Sequence, residues 1–329
     1  MPQDVSGRLK KVFIVGFPRS GTTWVMFSLA QHPEVVCFQQ TGFFHALRPF
    51  ESWWTQDHGF TSGANGKNPV YEVQGSSKVL SRENFFRFLR PLGEHLFQRL
   101  ASQNEHCRVV VEQTPENSEF LDLVLGLFPD AYFLHVIRDP RAAYSSMRQA
   151  SQTWGLGFPS TPLAVSKRWK DIVLPALELR RLQDRYLEIT YEDFSRDGPA
   201  VLARIHRWIG LETQPEACQA ALEACRIDHL RSKTKMPPNF YRKGSPDGWR
   251  EEISRSELRV LEYLLGTEME KLGYPRMLPH SDRKPWELRW GEFTARTYGR
   301  LRGVGRIFKG PRRMLQRWRS HLEILRTEP

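Results

Sequence analysis

The chain alternates short apolar runs with longer stretches in which apolar residues recur every three or four positions. β-Branched and aromatic runs fall near Lys11 to Val15, Val109 to Val111, Ala131 to Ile137 and Tyr186 to Ile189. Each is short enough for a strand and lacks a regular polar face, the signature of a strand buried on both sides. Helical periodicity appears near Thr22 to Gln31, Glu83 to Ser102, Ser118 to Leu127 and Ser166 to Leu182. Strands alternating with helices predict an α/β fold in which a parallel β-sheet is covered by helices on both faces. Ligands then gather at the carboxyl ends of the strands, where Gly16, Glu112 and Arg138 fall. Two segments interrupt the alternation and read as loop-like insertions. Arg48 to Gly75 carries Trp53, Trp54, Phe60 and Tyr71, and Ser151 to Pro162 carries Trp154 and Phe158. Aromatic loops beside a ligand site suit an apolar or sugar-bearing ligand, and suit a core lid equally.

Composition narrows the class. With 329 residues and 40% apolar content, the chain is long enough to bury one α/β core with insertions. The four cysteines, Cys37, Cys107, Cys218 and Cys225, show no C-x-x-C spacing, so neither a disulfide framework nor a zinc site is suggested. Met1 to Lys11 lacks an apolar signal core and no run of about 18 apolar residues is present, so a cytoplasmic location is expected. The net charge of +11 is unevenly placed: residues 281–329 hold 13 Lys or Arg against 5 Asp or Glu, a net of +8. Within 290–325 the residues Trp290, Phe293, Leu301, Val304, Phe308, Leu315, Trp318, Leu322 and Leu325 recur at near-helical spacing among arginines. That basic amphipathic pattern suits peripheral contact with an anionic membrane, packing on the rest of the chain, or a homodimer seam. Gly299, Gly303, Gly305, Gly310 and Pro311 weaken a helix there. The expected organisation is a domain over 1–280 followed by a basic amphipathic extension over 281–329.

The strongest chemical signal is Val12 to Val25, an apolar strand running through Gly16-Phe17-Pro18-Arg19-Ser20-Gly21-Thr22-Thr23-Trp24 into a helix. Small residues let the backbone approach phosphate oxygens, and a helix start behind them presents N–H groups and a favourable dipole. The Gly16 to Gly21 spacing matches the nucleotide-triphosphatase loop G-x-x-x-x-G-K-[ST], but Thr22 stands at the lysine position and the cation lies inside the loop at Arg19. That departure argues against ATP or GTP hydrolysis. Further along, the Ala131 to Ile137 run leads into Arg138-Asp139-Pro140-Arg141 and a helical Ala142 to Gln149, and Tyr241-Arg242-Lys243-Gly244 precedes Gly248-Trp249.

Pro18 to Trp24 resembles, at every position, the P-[KR]-[SA]-G-[TS]-T-[WL] loop of sulfotransferases that use 3′-phosphoadenosine 5′-phosphosulfate (PAPS). The order and approximate spacing of the other segments, over residues 10 to 275, are similar to that family too. The resemblance implies a P-loop-like sulfotransferase fold and assigns roles. Arg19, Ser20, Gly21, Thr22 and Thr23 would hold the 5′-phosphosulfate. Arg138 and, eight residues later, Ser146 would hold the 3′-phosphate, with Ser145 beside it able to substitute. Arg242, Lys243 and Gly244 would close on that phosphate, and Trp24 and Tyr191 would lie at the adenine. Gly248 and Trp249 are adjacent where the family reads G-D-W, which leaves the loop's role but alters its geometry.

The implied reaction is in-line displacement on sulfur, with Arg19 stabilising charge on the leaving oxygen of 3′-phosphoadenosine 5′-phosphate (PAP) and no metal required. The general base does not follow the pattern. Gln39 and Gln40 stand where tyrosine- and glycan-directed relatives place a Glu, and Gln113 and Pro115 stand where cytosolic relatives place the Lys and His of K-T-H. Glu112 is the first substitute, with His45 and Glu116 behind it; Glu112 serves equally as a structural partner of Arg138 or Arg19. The expected acceptor is a hydroxyl or amine of a small molecule, lipid or carbohydrate, and no nucleic acid is expected. A P-loop kinase and a catalytically inactive nucleotide-binding protein stand as alternatives.

Overall fold

The computed structural model describes residues 9–55, 76–155, 157–226, 229, 240 and 245–288. Five strands form one parallel sheet: β1 (Lys10–Val15), β2 (Val35–Gln39), β3 (Val109–Gln113), β4 (Tyr132–Ile137) and β5 (Tyr186–Thr190), in the order β2-β3-β1-β4-β5. Four of these lie where the apolar runs predict them. The half-exposed edge strand β2 is additional, and pairs Phe38 with Glu112 and Gln39 with Gln113 of β3. The register of β1 sets Phe13 beside Glu112 on one side and Phe133 on the other.

Side chains alternate across the sheet, as strand geometry requires. Val12, Ile14, Val111, Leu134, Val136 and Ile189 face a core completed by α1 (Thr22–Leu29), α9 (Gly198–Trp208) and α10 (Pro215–Ala224). Phe13, Val15, Val110 and Phe133 face the opposite core, under α2 (Phe43–Thr55), α4 (Arg82–Ala101) and α5 (Leu121–Leu127). Phe13 is its centre, with the rings of Phe44, Phe97, Phe128 and Phe133 all within 5.9 Å of its own. The short α3 (Ser76–Val79) and α8 (Tyr191–Arg196) complete these layers. A third core joins Phe17, just past β1, to α6 (Pro140–Ser151), α7 (Pro162–Glu178) and α12 (Arg255–Lys271), which follows α11 (Trp249–Glu252).

The insertion at 48–75 departs from its loop-like expectation at its start, because Arg48 to Thr55 continues α2. Phe44, Leu47 and Trp54 bury one side of that helix, which outweighs the interior Pro49. Trp54 is a core residue: its ring stacks on Phe85 at 4.8 Å and its indole N–H donates to the Leu80 carbonyl. Phe60, Tyr71 and the 290–325 segment lie outside the described residues, as does most of the 281–329 extension. Among the described residues, no helix is long and apolar enough to cross a membrane.

Candidate active site

All five strands are parallel, so β1, β3 and β4 end on one edge, and the turn after β1 occupies its centre. Gly16 (φ 149°), Arg19 (φ 75°) and Gly21 (φ 88°) all have positive φ. A Cβ on Gly16 would stand 2.4 Å from the Val136 carbonyl oxygen, and one on Gly21 would stand 2.5 Å from the Tyr191 ring. Both positions therefore need glycine for the space as well as the backbone. Arg19 has no such freedom; the Arg138 guanidinium donates to its carbonyl at 2.8 Å and pins the strained residue at the tip of the turn. Gly21 then caps α1, whose first N–H groups have no intrahelical acceptor and face the turn.

Residues far apart in sequence converge here. Arg19 donates from Nε to Ser146 Oγ at 3.2 Å and from its terminal nitrogen to the Phe240 carbonyl at 2.7 Å. Arg138 lies over the Tyr191 ring at 4.0 Å, and Tyr191 in turn backs Gly21. Ser145 and Ser146 divide their roles: Ser146 turns to Arg19, whereas Ser145 donates to Glu252 of α11. Two guanidinium groups beside a helix start make the edge a basic cradle suited to a polyanion.

The neighbouring strands supply a different chemistry. Glu112, the last residue but one of β3, is 1% exposed, and its carboxylate accepts four hydrogen bonds. Thr41 donates to Oε1 from its N–H (3.3 Å) and hydroxyl (2.9 Å), Thr114 donates to the same oxygen at 2.5 Å, and Asn117 donates to Oε2 at 2.5 Å. Burial pushes the Glu112 carboxyl above its usual range, and these donors oppose the shift. Its partners are thus neutral groups rather than Arg19 or Arg138. Gln113, pointing to the other face, donates to the Thr22 hydroxyl at 2.9 Å and ties β3 to the first residue of α1.

Residues 11–215 match the family model described as "Sulfotransferase family". The chain belongs to that family. Among curated relatives it is 25% identical over 305 residues to nodulation protein NoeE of Sinorhizobium fredii, covering 85% of this chain and 70% of that protein. It is 26% identical to the protein-tyrosine sulfotransferase of Drosophila melanogaster, but over 44% of this chain and 29% of that one. For the omega-hydroxy-beta-dihydromenaquinone-9 sulfotransferase Stf3 of Mycobacterium bovis the figures are 25% identity, 54% and 44%. Among solved structures, the fold of mouse sulfotransferase SULT7A1 complexed with PAP matches with a TM-score of 0.52 at 16% identity, over 80% of this chain and 84% of that one.

Within this sulfotransferase fold, Arg19, Ser20, Gly21, Thr22, Thr23, Arg138, Ser146 and Tyr191 gather at one end of β1 and β4. Trp24 packs edge-on to Phe194 (4.6 Å) and Tyr191 (6.1 Å), one layer behind the turn. His45 is exposed on α2, with its ring edge-on to Phe120 at 5.5 Å. Arg242, Lys243 and Gly244 lie outside the described residues. No sequence motif marks Thr41, Asn117, Trp154 or Phe240 for the contacts they make here. Thr41 directly follows Gln39 and Gln40, so the segment is legible while the contact is not, because it depends on β2 lying beside β3.

Proposed function

We propose that this sulfotransferase-family chain moves a sulfuryl group from PAPS to a hydroxyl or amine of a small-molecule, lipid or carbohydrate acceptor, over a catalytic domain spanning 1–280. The observation that carries the reading is the convergence of Arg19, Arg138, Ser146 and Tyr191 on one glycine-bounded turn ahead of α1. PAPS, when bound, supplies the sulfuryl group and a phosphate leaving oxygen. Arg19, the Thr22 and Thr23 hydroxyls and the first N–H groups of α1, with Ser20 and Gly21, hold the 5′ end. Arg138 and Ser146, helped by Arg242, Lys243 and Gly244, hold the 3′-phosphate, while Tyr191 and Trp24 back the base. Arg19 stabilises the charge that grows on the leaving oxygen as the acceptor's bond to sulfur forms, a contribution of about 10²–10³ in rate for one well-placed donor.

Glu112 is the proposed base, reached through Thr41. Thr41 is exposed while its hydroxyl donates to the buried carboxylate, so the acceptor's proton passes to Thr41 Oγ1 as Thr41's own proton passes to Glu112 Oε1. His45 ranks behind it because its side chain is exposed and Thr41 already connects the surface to the Glu112 carboxylate. The 290–325 segment would bring the enzyme to an anionic membrane surface or a second copy. Titration calorimetry with PAP, ADP and ATP, with and without Mg²⁺, tests the donor. Metal-independent binding of PAP in preference to ADP is expected, and a requirement for Mg²⁺ with preference for ATP would restore the kinase alternative.

A further inference from the structure

Arg19 carries the heaviest chemical role in the proposed reaction, yet it stands at the tip of a turn on a long side chain with many rotamers. The structure supplies a device that limits them. Its guanidinium carbon lies 5.3 Å from the Trp154 ring centroid and 5.2 Å from that of Phe240, and the two rings are 4.9 Å apart, tilted by 42°. These nearly equal sides describe a wedge, with the guanidinium at the mouth of a V and both ring faces turned to it. Trp154 is buttressed in turn by the edge of Phe158 at 5.4 Å, and a Cβ on the intervening Gly155 would stand 2.5 Å from the Phe158 ring. Ser146 stands in the middle of α6 and Trp154 in the turn just past its end, so one helix and the turn that follows it deliver the hydroxyl and the ring that meet Arg19. The Trp154 indole nitrogen is buried with no hydrogen-bond partner among the described residues, so the face of the ring, not its donor, makes the contact.

We infer that Trp154 and Phe240 are positioning residues for Arg19, holding its guanidinium by cation–π contact in the orientation the sulfuryl transfer uses. This rests on the donor reading above. A planar guanidinium stacks on such a wedge, whereas a compact, strongly hydrated ammonium gains far less from it. Arg19→Lys therefore keeps the charge and removes the coupling.

The test has two readouts, both taken on the full chain. In protein labelled with ¹⁵N-arginine, the Arg19 Nε–H resonance is assigned by its loss in Arg19→Lys. Ring-current shielding should displace it in the wild type, and Trp154→Ala and Phe240→Leu should each move it back, although Phe240→Leu retains the carbonyl that accepts from Arg19. By calorimetry, Trp154→Ala should weaken PAP binding about tenfold, in line with a desolvated cation–π contact. Trp154→Phe should recover most of that loss, and in the Arg19→Lys background the penalty should shrink below about twofold. An unmoved Nε–H resonance in both ring variants, or an equal loss in the Arg19 and Arg19→Lys backgrounds, overturns the inference. If the wild-type chain fails to bind PAP, the donor reading falls while the resonance still decides the wedge.

Discussion

On the β1 and β4 side of the sheet edge, two arginines meet a serine, backbone carbonyls and aromatic faces; one strand away, on the β2 and β3 side, a carboxylate is enclosed by hydroxyls and amides. The first half keeps positive charge near the surface of a turn whose backbone is strained into place. The second keeps a carboxylate under cover, at 1% exposure, with neutral donors on both oxygens. The division suits a reaction in which a polyanion is gripped on one side while a proton is taken up on the other. It also shows how the fold separates a cation meant for a ligand from one meant for itself. Arg141, three residues beyond Arg138, is 2% exposed and bound by Asp139 and Glu262, with its guanidinium 4.4 Å above the Trp249 ring.

That separation gives the largest expected effect. Arg141→Ala strands two buried carboxylates and cuts one of the ties between α6 and α12, and should cost about 3–5 kcal/mol of unfolding free energy. Denaturant unfolding checks it, beside Arg138→Ala, which should cost far less and instead weaken PAP binding. If the two substitutions are equally destabilising, the two arginines have not been divided between fold and ligand as argued. Next, Arg19→Ala should lower turnover of labelled PAPS by about 10²–10³. Its melting temperature should stay near wild type. Gly21→Ala should follow, because it combines a positive φ with a contact to Tyr191 that has no room, at a cost of about 1–3 kcal/mol. Tyr191→Leu in the same chain should recover part of that loss, measured by thermal unfolding.

The contrast between the halves also explains what was readable beforehand. The basic half sits on contiguous motifs, Pro18 to Trp24 and Arg138 to Ser146, in which turn chemistry and ligand chemistry demand the same residues. Four of the five strands lie on largely apolar runs that are legible directly, even though Lys11, Glu112, His135 and Glu188 stand within them; β2, Val35-Val36-Cys37-Phe38-Gln39, is a half-exposed edge strand whose apolar run follows closely on α1. The acid half depends on that strand. Thr41 and Glu112 are 71 residues apart and meet only because β2 and β3 pair in register. The structural alternative for Glu112, a partner of Arg19 or Arg138, does not include these donors, since no local pattern announces groups arriving from beside a neighbouring strand and from the turn at Thr114 and Asn117. Arg48 to Thr55 departs from its loop-like expectation because burial of Phe44, Leu47 and Trp54 on one side decides for helix in spite of Pro49, and that burial depends on partners distant in sequence.

The smallest effects belong to the acid half and test it through pH. Burial raises the Glu112 carboxyl and its donors lower it, so removing a donor must move the group further up. If Glu112 accepts the acceptor's proton, it must be ionised to act, and activity falls as pH drops through its folded-state value. Asn117→Ala should therefore shift the acid limb of the pH–rate profile to higher pH, with less than about a tenfold loss at the plateau, and Glu112→Gln should abolish the limb. Stability gives the same sign independently of turnover. A carboxyl raised above its unfolded value of 4.5 favours folding below that pH and loses this contribution as pH rises through the folded value. Glu112→Gln cannot ionise, so its melting temperature relative to wild type should climb between pH 4 and pH 7. Buried His135 and His206, held down at about 3 and about 4, destabilise both proteins alike as pH falls below 6.5, and the difference between the two curves removes them. A difference that instead falls as pH rises from 4 would mean that the donors outweigh burial and that Glu112 stays ionised across the range, a carboxylate too weakly basic for the step, which leaves it a structural anchor for Thr41 and Asn117 and passes the role of base to another group.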